Sequence, residues 1–230
     1  MIRGFNDASI SAETNVTGGQ SVMNPWPIIG GVANVICRQD EIIMPSQGRI
    51  GDKILLTKPI GTQVAVNLFQ WKSEGDKKNL DFVKSEISFE DIDKAFDLAC
   101  ESMSRLNKQG SRMMKKYKVH GATDVTGFGI LGHLQNLVSA QKEKNLKMVI
   151  HSLPIIKNMY KIDQRKSFNL SKGFSAETSG GLMMLVPKEI SEDLIAEMRD
   201  SGEWCWEIGE VIRGEKNEAC LEQNINIIEV

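Results

Sequence analysis

The segment HGATDVTGFGILGH, from His120 to His133, sets one carboxylate, Asp124, among glycines and threonines just ahead of an apolar run with helical spacing. A carboxylate oxygen is a hard ligand that Mg²⁺ prefers, usually with phosphates and waters completing the coordination shell. Gly127 and Gly129 lack a Cβ, so the backbone can approach a ligand closely, and the N-terminus of the following helix favours phosphate oxygens. These residue types suit a site for a metal-bound phosphate at Asp124.

Helix capping is the alternative role for the same loop. Aspartate and threonine are ordinary N-cap residues, so Asp124 or Thr126 could simply satisfy the first amides of the helix. The residue types alone leave both roles open and favour capping. His133 lies within the predicted helix and is expected to be a packed or surface residue rather than a ligand, and the same expectation holds for His120 and His151.

Two glycine pairs stand near polar side chains elsewhere in the chain. The stretch TGGQ, Thr17 to Gln20, could wrap an anion with its backbone amides, although a turn or a bulge is the more common role. The stretch ETSGGL, Glu177 to Leu182, precedes a predicted buried strand, and its glycine pair is expected to allow a close approach between backbone segments. No P-loop pattern occurs in the chain.

Composition excludes several classes of function. The chain has 230 residues, of which 41% are hydrophobic and 25% charged, and its net charge of −2 predicts neither a nucleic acid partner nor a membrane partner. No apolar run reaches the length of a membrane span, and the N-terminal residues form no apolar signal core. The four cysteines have no metal-ligand spacing, which favours reduced thiols in a cytoplasmic protein; they are Cys37, Cys100, Cys205 and Cys220.

The first 50 residues hold short apolar runs broken by glycine, proline and asparagine. The runs at Ile28–Ile29, Val32–Cys37 and Ile42–Met44 predict two or three strands with tight turns. Strands need a sheet to join, and about 50 residues rarely supply one alone. We therefore expect residues 1–50 to be the C-terminal remnant of a preceding domain whose other strands lie upstream.

From Gly51 the pattern becomes a regular mixture of strands and helices, which predicts an α/β fold over residues 51–230. Because the strands and helices do not alternate strictly, the sheet is expected to be mixed, as in α+β proteins. A strand is expected at Lys53–Thr57, a helix from Thr62, a charged connection over residues 73–86, and one long helix capped by Ser88 that runs to Tyr117. Gly110 is its candidate break point. The remaining expected elements are a helix from Gly129 to about Gln141, a strand at Lys147–His151, a short helix near Ile155–Tyr160, and strand, helix, strand and strand from Leu182 to the end.

Four stretches together resemble the selenophosphate synthetase (selenide, water dikinase) family, most closely its eukaryotic type. They are TGGQSVMNPWPIIGGVANVIC, MPSQGRIGDKILLTKPIGTQVAVN, GATDVTGFGILGHLQNL and ETSGGLMMLVP, in the order and spacing expected of that family. The resemblance covers nearly the whole chain and is weakest over residues 73–86 and 160–174. A glycine-rich aspartate loop of this kind recurs, less closely, in the related aminoimidazole ribonucleotide synthetase superfamily, which implies that superfamily's C-terminal domain fold.

The resemblance implies an enzyme that makes selenophosphate, AMP and phosphate from ATP, selenide and water, feeding selenocysteine synthesis. It implies a homodimer that binds ATP with several magnesium ions between its subunits. Thr17, Gly18, Gly19 and Gln20 resemble the segment that reaches the ATP of the neighbouring subunit. Asp124 resembles a magnesium ligand, which reverses the preference for capping that its residue type alone suggested.

The chain also departs from the family pattern. The catalytic cysteine or selenocysteine and the lysine beside it are expected upstream of Met1, so no residue of this chain is assigned as catalytic. We therefore expect a C-terminal portion that is inactive alone. A non-catalytic interaction or regulatory module of the same fold, and a related ATP-dependent enzyme of the superfamily, are the alternatives.

Overall fold

The computed structural model describes residues 1–230 and divides the chain into two units, Met1–Ile42 and Ile43–Val230. The first unit contains helix α1, Ile2–Ser11, and one 3₁₀ turn, Gln39–Glu41. The strands expected between Ile28 and Met44 are a wrong prediction, because no residue of that stretch belongs to a strand. A strand is stable only when its backbone groups pair with a neighbour, and this stretch joins no ladder.

A six-stranded mixed sheet is the centre of the second unit. Its strands are β1 (Lys53–Leu56), β2 (Gly121–Asp124), β3 (Leu146–Ile155), β4 (Leu182–Val186), β5 (Trp206–Arg213) and β6 (Glu218–Glu229). Their order is β2-β4-β1-β5-β3-β6, and every neighbouring pair is antiparallel except β3 with β6. Because β1 and β2 both run antiparallel to β4, their C-terminal ends lie at the same end of the sheet. There they flank the start of β4, with Leu56 opposite Met183 and Asp124 opposite Leu182.

Helices cover both faces of this sheet. They are α2 (Thr62–Glu74), α3 (Lys77–Lys84), α4 (Phe89–Ser104), α5 (Lys108–Lys116), α6 (Gly129–Ser139), α7 (Met159–Arg165) and α8 (Lys188–Asp200). Successive strand side chains point to opposite faces, so Ile54 and Leu56 pack in the larger core with α2, α3, α4, α6 and α7, whereas Leu55 packs in the smaller core with α5 and α8. The expected mixed α/β fold class is confirmed.

The predicted elements differ from the observed ones where the sequence is most polar. The expected charged connection over residues 73–86 contains α3, whose N-cap Asp76 accepts a hydrogen bond from the Asn79 amide at 3.2 Å and which buries Leu80 and Val83. The single long helix is two helices, α4 and α5. Ser88 caps α4 as expected, accepting from the Asp91 amide at 3.0 Å.

The break between α4 and α5 falls at residues 105–107 and not at Gly110, the candidate break point. Gly110 lies inside α5, where a Cβ would come within 2.9 Å of the Leu182 side chain. The short helix expected at Ile155–Tyr160 begins at Met159, because β3 continues to Ile155.

The N-terminus of α2 is capped from a distant part of the chain. Its N-cap residue, Gly61, has no side chain, and the amides of Gly61 and Thr62 donate to the carboxylate of Glu177 at 2.7 and 3.0 Å. The Thr62 hydroxyl donates to the same carboxylate. Burial raises the pKa of Glu177 to about 7, although these donors oppose the shift. Glu177 thereby fastens the loop that leads into β4 to the start of α2.

Glu177 is predicted to make stability depend on pH. Its pKa is higher in the folded chain than in the unfolded chain, so the folded state binds more protons between pH 4.5 and about 7 and loses stability as the pH rises through that range. Glu177→Gln removes this titration. The free energy of unfolding of the wild type, relative to that of the variant, should fall by about 3 kcal/mol from about pH 4 to about pH 8, as measured by urea unfolding at both pH values.

Glu192→Gln is the matched control for this measurement, because Glu192 is exposed on α8. The control should follow the wild type at both pH values. A difference in unfolding free energy between the wild type and Glu177→Gln that stays constant across this pH range would contradict the prediction.

Candidate functional site

The carboxylate of Asp124 lies at the end of β2, at the edge of the sheet, and is exposed. It makes neither a hydrogen bond nor an ion pair to another side chain. The capping role that the residue types favoured is wrong for both candidates, because α6 has Phe128 at its N-cap position and no side-chain cap. The oxygens of Asp124 are therefore open to a ligand from solvent.

Backbone hydrogen bonds from a distant loop hold the turn that follows Asp124. The Val125 amide donates to the Gly181 carbonyl at 2.9 Å, and the Thr126 carbonyl accepts from the amides of Glu177 at 3.0 Å and Gly129 at 3.1 Å. The loop that contains Glu177 and Gly181 leads directly into β4. It thus supports the Asp124 turn on one side and caps α2 on the other.

His133 fastens the same turn from inside α6. Its Nε2 accepts the amide of Thr126 at 2.9 Å, and its ring lies 5.4 Å from that of Phe128. Burial lowers the pKa of His133, and the Asp124 carboxylate opposes that shift. An accepting Nε2 requires the neutral ring, which burial favours. The expectation of a packed histidine is confirmed. Its bond to Thr126, which lies in the turn before α6, was not predicted.

Three glycines shape the backbone around Asp124. At Gly180 a Cβ would lie 1.9 Å from the Val125 carbonyl oxygen, so the close approach predicted for the Gly180–Gly181 pair is confirmed. At Gly129, φ is +70° and a Cβ would lie 2.5 Å from the Gly173 carbonyl oxygen. Nothing lies within 4 Å of a Cβ built on Gly127, so the backbone of that residue is open to a ligand.

The stretch Thr17–Gln20 belongs to the first unit and is exposed without regular secondary structure. Gly19 has φ +148°, a conformation that residues with a side chain rarely adopt. Its expected contact with ATP stays a prediction.

The single carboxylate of Asp124 suits magnesium better than it suits a metal that is coordinated by protein side chains alone. No group of three histidine, cysteine, aspartate or glutamate side chains in residues 1–230 is arranged to hold a metal ion. Magnesium is commonly bound by one or two carboxylates with phosphates and waters, whereas structural zinc needs four protein ligands. Asp124 can therefore be one magnesium ligand beside a bound phosphate.

A second polar pair, which the sequence did not predict, lies at the opposite end of strands β1 and β2. The Nδ1 of His120 lies 2.9 Å from each carboxylate oxygen of Asp52, and Asp52 is 3% exposed. The pair joins the residue before β1 to the residue before β2. It stabilises the sheet at the end remote from Asp124.

Comparisons with known proteins identify the type of domain. Residues 49–221 match the family described as AIR synthase related protein, C-terminal domain. The second unit starts at Ile43, close to the beginning of this match. No helix has the length and apolar character required to cross a membrane.

Similar proteins include selenide, water dikinase 2 of Mus musculus, which is 44% identical over the whole of this chain and over 51% of its own length. Selenide, water dikinase of Dictyostelium discoideum is 45% identical over the whole of this chain and 65% of its own length. The chain thus spans about half to two thirds of the length of these curated relatives.

Similar solved structures share the fold at low identity. Thiamine-monophosphate kinase from Stenotrophomonas maltophilia K279a is 13% identical, with a TM-score of 0.56 over 78% of this chain and 52% of that one. Hydrogenase maturation protein HypE in complex with ATP is 17% identical, with a TM-score of 0.55 over 77% of this chain and 49% of that one. They confirm the architecture alone.

The bond from Thr126 to His133 predicts a local effect of substitution. His133→Leu leaves the Thr126 amide without its acceptor, which should accelerate hydrogen exchange in residues 124–128 about tenfold and lower the free energy of unfolding by about 1–2 kcal/mol. His133→Gln offers a new acceptor oxygen and should recover most of the protection. Exchange measured by mass spectrometry on peptides of this segment checks both.

His151→Leu is the matched control, since His151 lies on β3 and pairs with the Ser152 hydroxyl. That variant should leave residues 124–128 protected. Equal exchange of this segment in His133→Leu and in the wild type would show that the His133 ring does not fasten the turn.

Proposed function

The chain belongs to the AIR synthase related protein family, and on that premise we propose that it is the C-terminal part of a selenide, water dikinase. The complete enzyme would convert ATP, selenide and water into selenophosphate, AMP and phosphate, and would supply selenocysteine synthesis. The observation that carries this proposal is the similarity to selenide, water dikinases over the whole chain, including residues 1–48, which lie outside the matched family domain.

Asp124 is the proposed magnesium ligand within this chain. Its carboxylate is exposed and unpaired, and the Gly127 backbone beside it is open to a ligand. Bound magnesium would neutralise charge on the phosphates of ATP during phosphoryl transfer. The chain's own part is to hold the carboxylate in a fixed position beside the open Gly127 backbone.

The remaining parts of the proposal concern the complete protein. Thr17, Gly18, Gly19 and Gln20 would contact the ATP of the neighbouring subunit in a homodimer, and selenide would be the second substrate. We place the protein in the cytoplasm. The TGGQ stretch is exposed, and nothing lies within 4 Å of a Cβ built on Gly18 or Gly19, which is consistent with such a contact.

A non-catalytic interaction module is the second candidate function. It is favoured by the large apolar side chains that the first unit exposes, among them Val22, Met23, Trp26 and Ile28. A related ATP-dependent enzyme with another acceptor is a third. The reading frame upstream of Met1 separates the first two candidates, since a glycine-rich loop with cysteine or selenocysteine there favours the enzyme. Assays of the complete protein with selenide and with other acceptors test the third.

Asp124→Asn in the complete protein should lower selenide-dependent AMP formation at least about a hundredfold, because an amide oxygen cannot replace the charge of a carboxylate on magnesium. The free energy of unfolding should change by no more than about 0.5 kcal/mol, since the carboxylate makes no internal bond. AMP release and urea unfolding measure the two effects.

Asp200→Asn, at the exposed end of α8, is the control for loss of a surface carboxylate and should retain full activity. Unchanged turnover in Asp124→Asn would remove Asp124 from the proposed site.

The chain alone is predicted to form no AMP from ATP and selenide and to bind ATP weakly. One carboxylate cannot hold several magnesium ions, and the proposed catalytic cysteine or selenocysteine is not among these residues. Purified chain incubated with ATP, selenide and Mg²⁺ should release AMP at the rate of the blank. AMP release at a rate like that of the complete protein would refute the proposal that the catalytic cysteine or selenocysteine and the other magnesium ligands lie outside these residues.

A further inference from the structure

Lys58 is a buried lysine at the end of β1 to which neither the fold nor the proposed site gives a role so far. The residue is 2% exposed, and its ammonium group donates to the carbonyls of Arg105 at 2.5 Å and Ser179 at 2.7 Å. Both acceptors are neutral. The ammonium thus joins the break between α4 and α5 to the loop that leads into β4.

Burying the Lys58 ammonium costs free energy, because the charge loses its water. The pKa of Lys58 is lowered to about 8, chiefly by burial and also by the guanidinium of Arg105, and the carboxylate of Glu203 opposes both. A buried charge is tolerated only when fixed hydrogen-bond acceptors replace its water. The two carbonyls must therefore stay in place for the charge to stay buried, and the charge in turn holds them in place.

The loop held by Lys58 has a backbone conformation that needs support. Ser179 has φ +50°, in the left-handed region that a residue with a side chain adopts at a cost. The next carbonyl, of Gly180, accepts from the Asn107 side chain at 2.9 Å. Gly181 then accepts the Val125 amide at 2.9 Å, directly beneath the turn that carries Asp124.

We propose that Lys58 is a positioning residue for the turn that joins β2 to α6, residues 124–129, which we call the Asp124 turn. Its ammonium holds the Ser179 carbonyl, the held loop presents the Gly180 and Gly181 backbone to Val125, and this backbone sets the position of the Asp124 carboxylate. The link from the loop to a magnesium–phosphate site rests on the proposed function. The link from Lys58 to the order of the loop stands without it.

Hydrogen exchange on the 230-residue chain tests the structural link. Lys58→Met keeps an apolar stem of similar length but leaves both carbonyls without their donor. We expect peptides covering residues 123–129 and 176–182 to exchange about tenfold faster than in the wild type. Lys53→Met is the matched control, because Lys53 begins β1, pairs with Glu207 at 2.9 Å and lies at the end of that strand remote from Lys58. Exchange in both peptides no faster than in Lys53→Met would overturn the proposal.

A titration that needs no substitution of Lys58 covers the case in which Lys58→Met does not fold. The methyl resonances of Val125 and Leu182 are recorded from about pH 6.5 to about pH 9.5. The charged neighbours Arg105 and Glu203 belong to residue types that keep their charge in this range, and burial lowers the pKa of His133. Glu177 does titrate, at about 7, so the spectra are taken in the Glu177→Gln variant.

Both resonances should shift with a midpoint near pH 8, because the loop loosens when the Lys58 ammonium loses its proton. Flat resonances across this range would overturn the proposal. In the complete protein, Lys58→Met should raise the Mg²⁺ concentration for half-maximal AMP formation about tenfold. A loosened loop with unchanged Mg²⁺ dependence would refute the magnesium role of Asp124 and leave the link from Lys58 to the loop intact, so the two failures are distinguishable.

Discussion

The candidate site depends on a contact between backbones that only glycine permits. A Cβ on Gly180 would lie 1.9 Å from the Val125 carbonyl oxygen, and one on Gly181 would lie 2.5 Å from the Lys58 amide nitrogen. The two glycines therefore pass between the end of β2 and the end of β1. Because these strands are separated by β4 in the sheet, the glycine loop is what joins their ends into one surface.

Ionisable side chains give rigidity to this loop, which has no regular secondary structure. Glu177 at its start binds the N-terminus of α2, and the Lys58 ammonium binds the Ser179 carbonyl in its middle. Each group is buried, and burial moves the pKa of each toward neutrality, up for the carboxyl and down for the ammonium. Desolvation makes both groups expensive, so their bonds must be well formed for the fold to keep them. A loop held in this way can carry a ligand group with little freedom of movement.

Local patterns predicted the elements, and contacts distant in sequence decided the site. The strand at Lys53 and the start of α4 at Ser88 were predictable because a short apolar run and a capping serine act over a few residues. The setting of Asp124 was harder to predict, because the turn after it is held by residues distant in sequence. His133 and Gly181 accept the amides of the next two residues, and the Asp124 carboxylate itself stays exposed. The strands expected before Met44 failed for the opposite reason: the local pattern was present, but no ladder partner was.

The fold by itself does not select a chemistry, since a thiamine-monophosphate kinase and a hydrogenase maturation protein share it at 13% and 17% identity. Selection must come from groups placed around the Asp124 turn. One carboxylate supplies one position of an octahedral magnesium shell, so the turn can anchor a metal-bound phosphate but cannot choose the acceptor. Under the proposed function, the residues that choose the acceptor would lie elsewhere in the complete enzyme. The β2–α6 turn, with His133, Lys58 and Glu177 behind it, would then be a rigid platform for the phosphate side of the reaction.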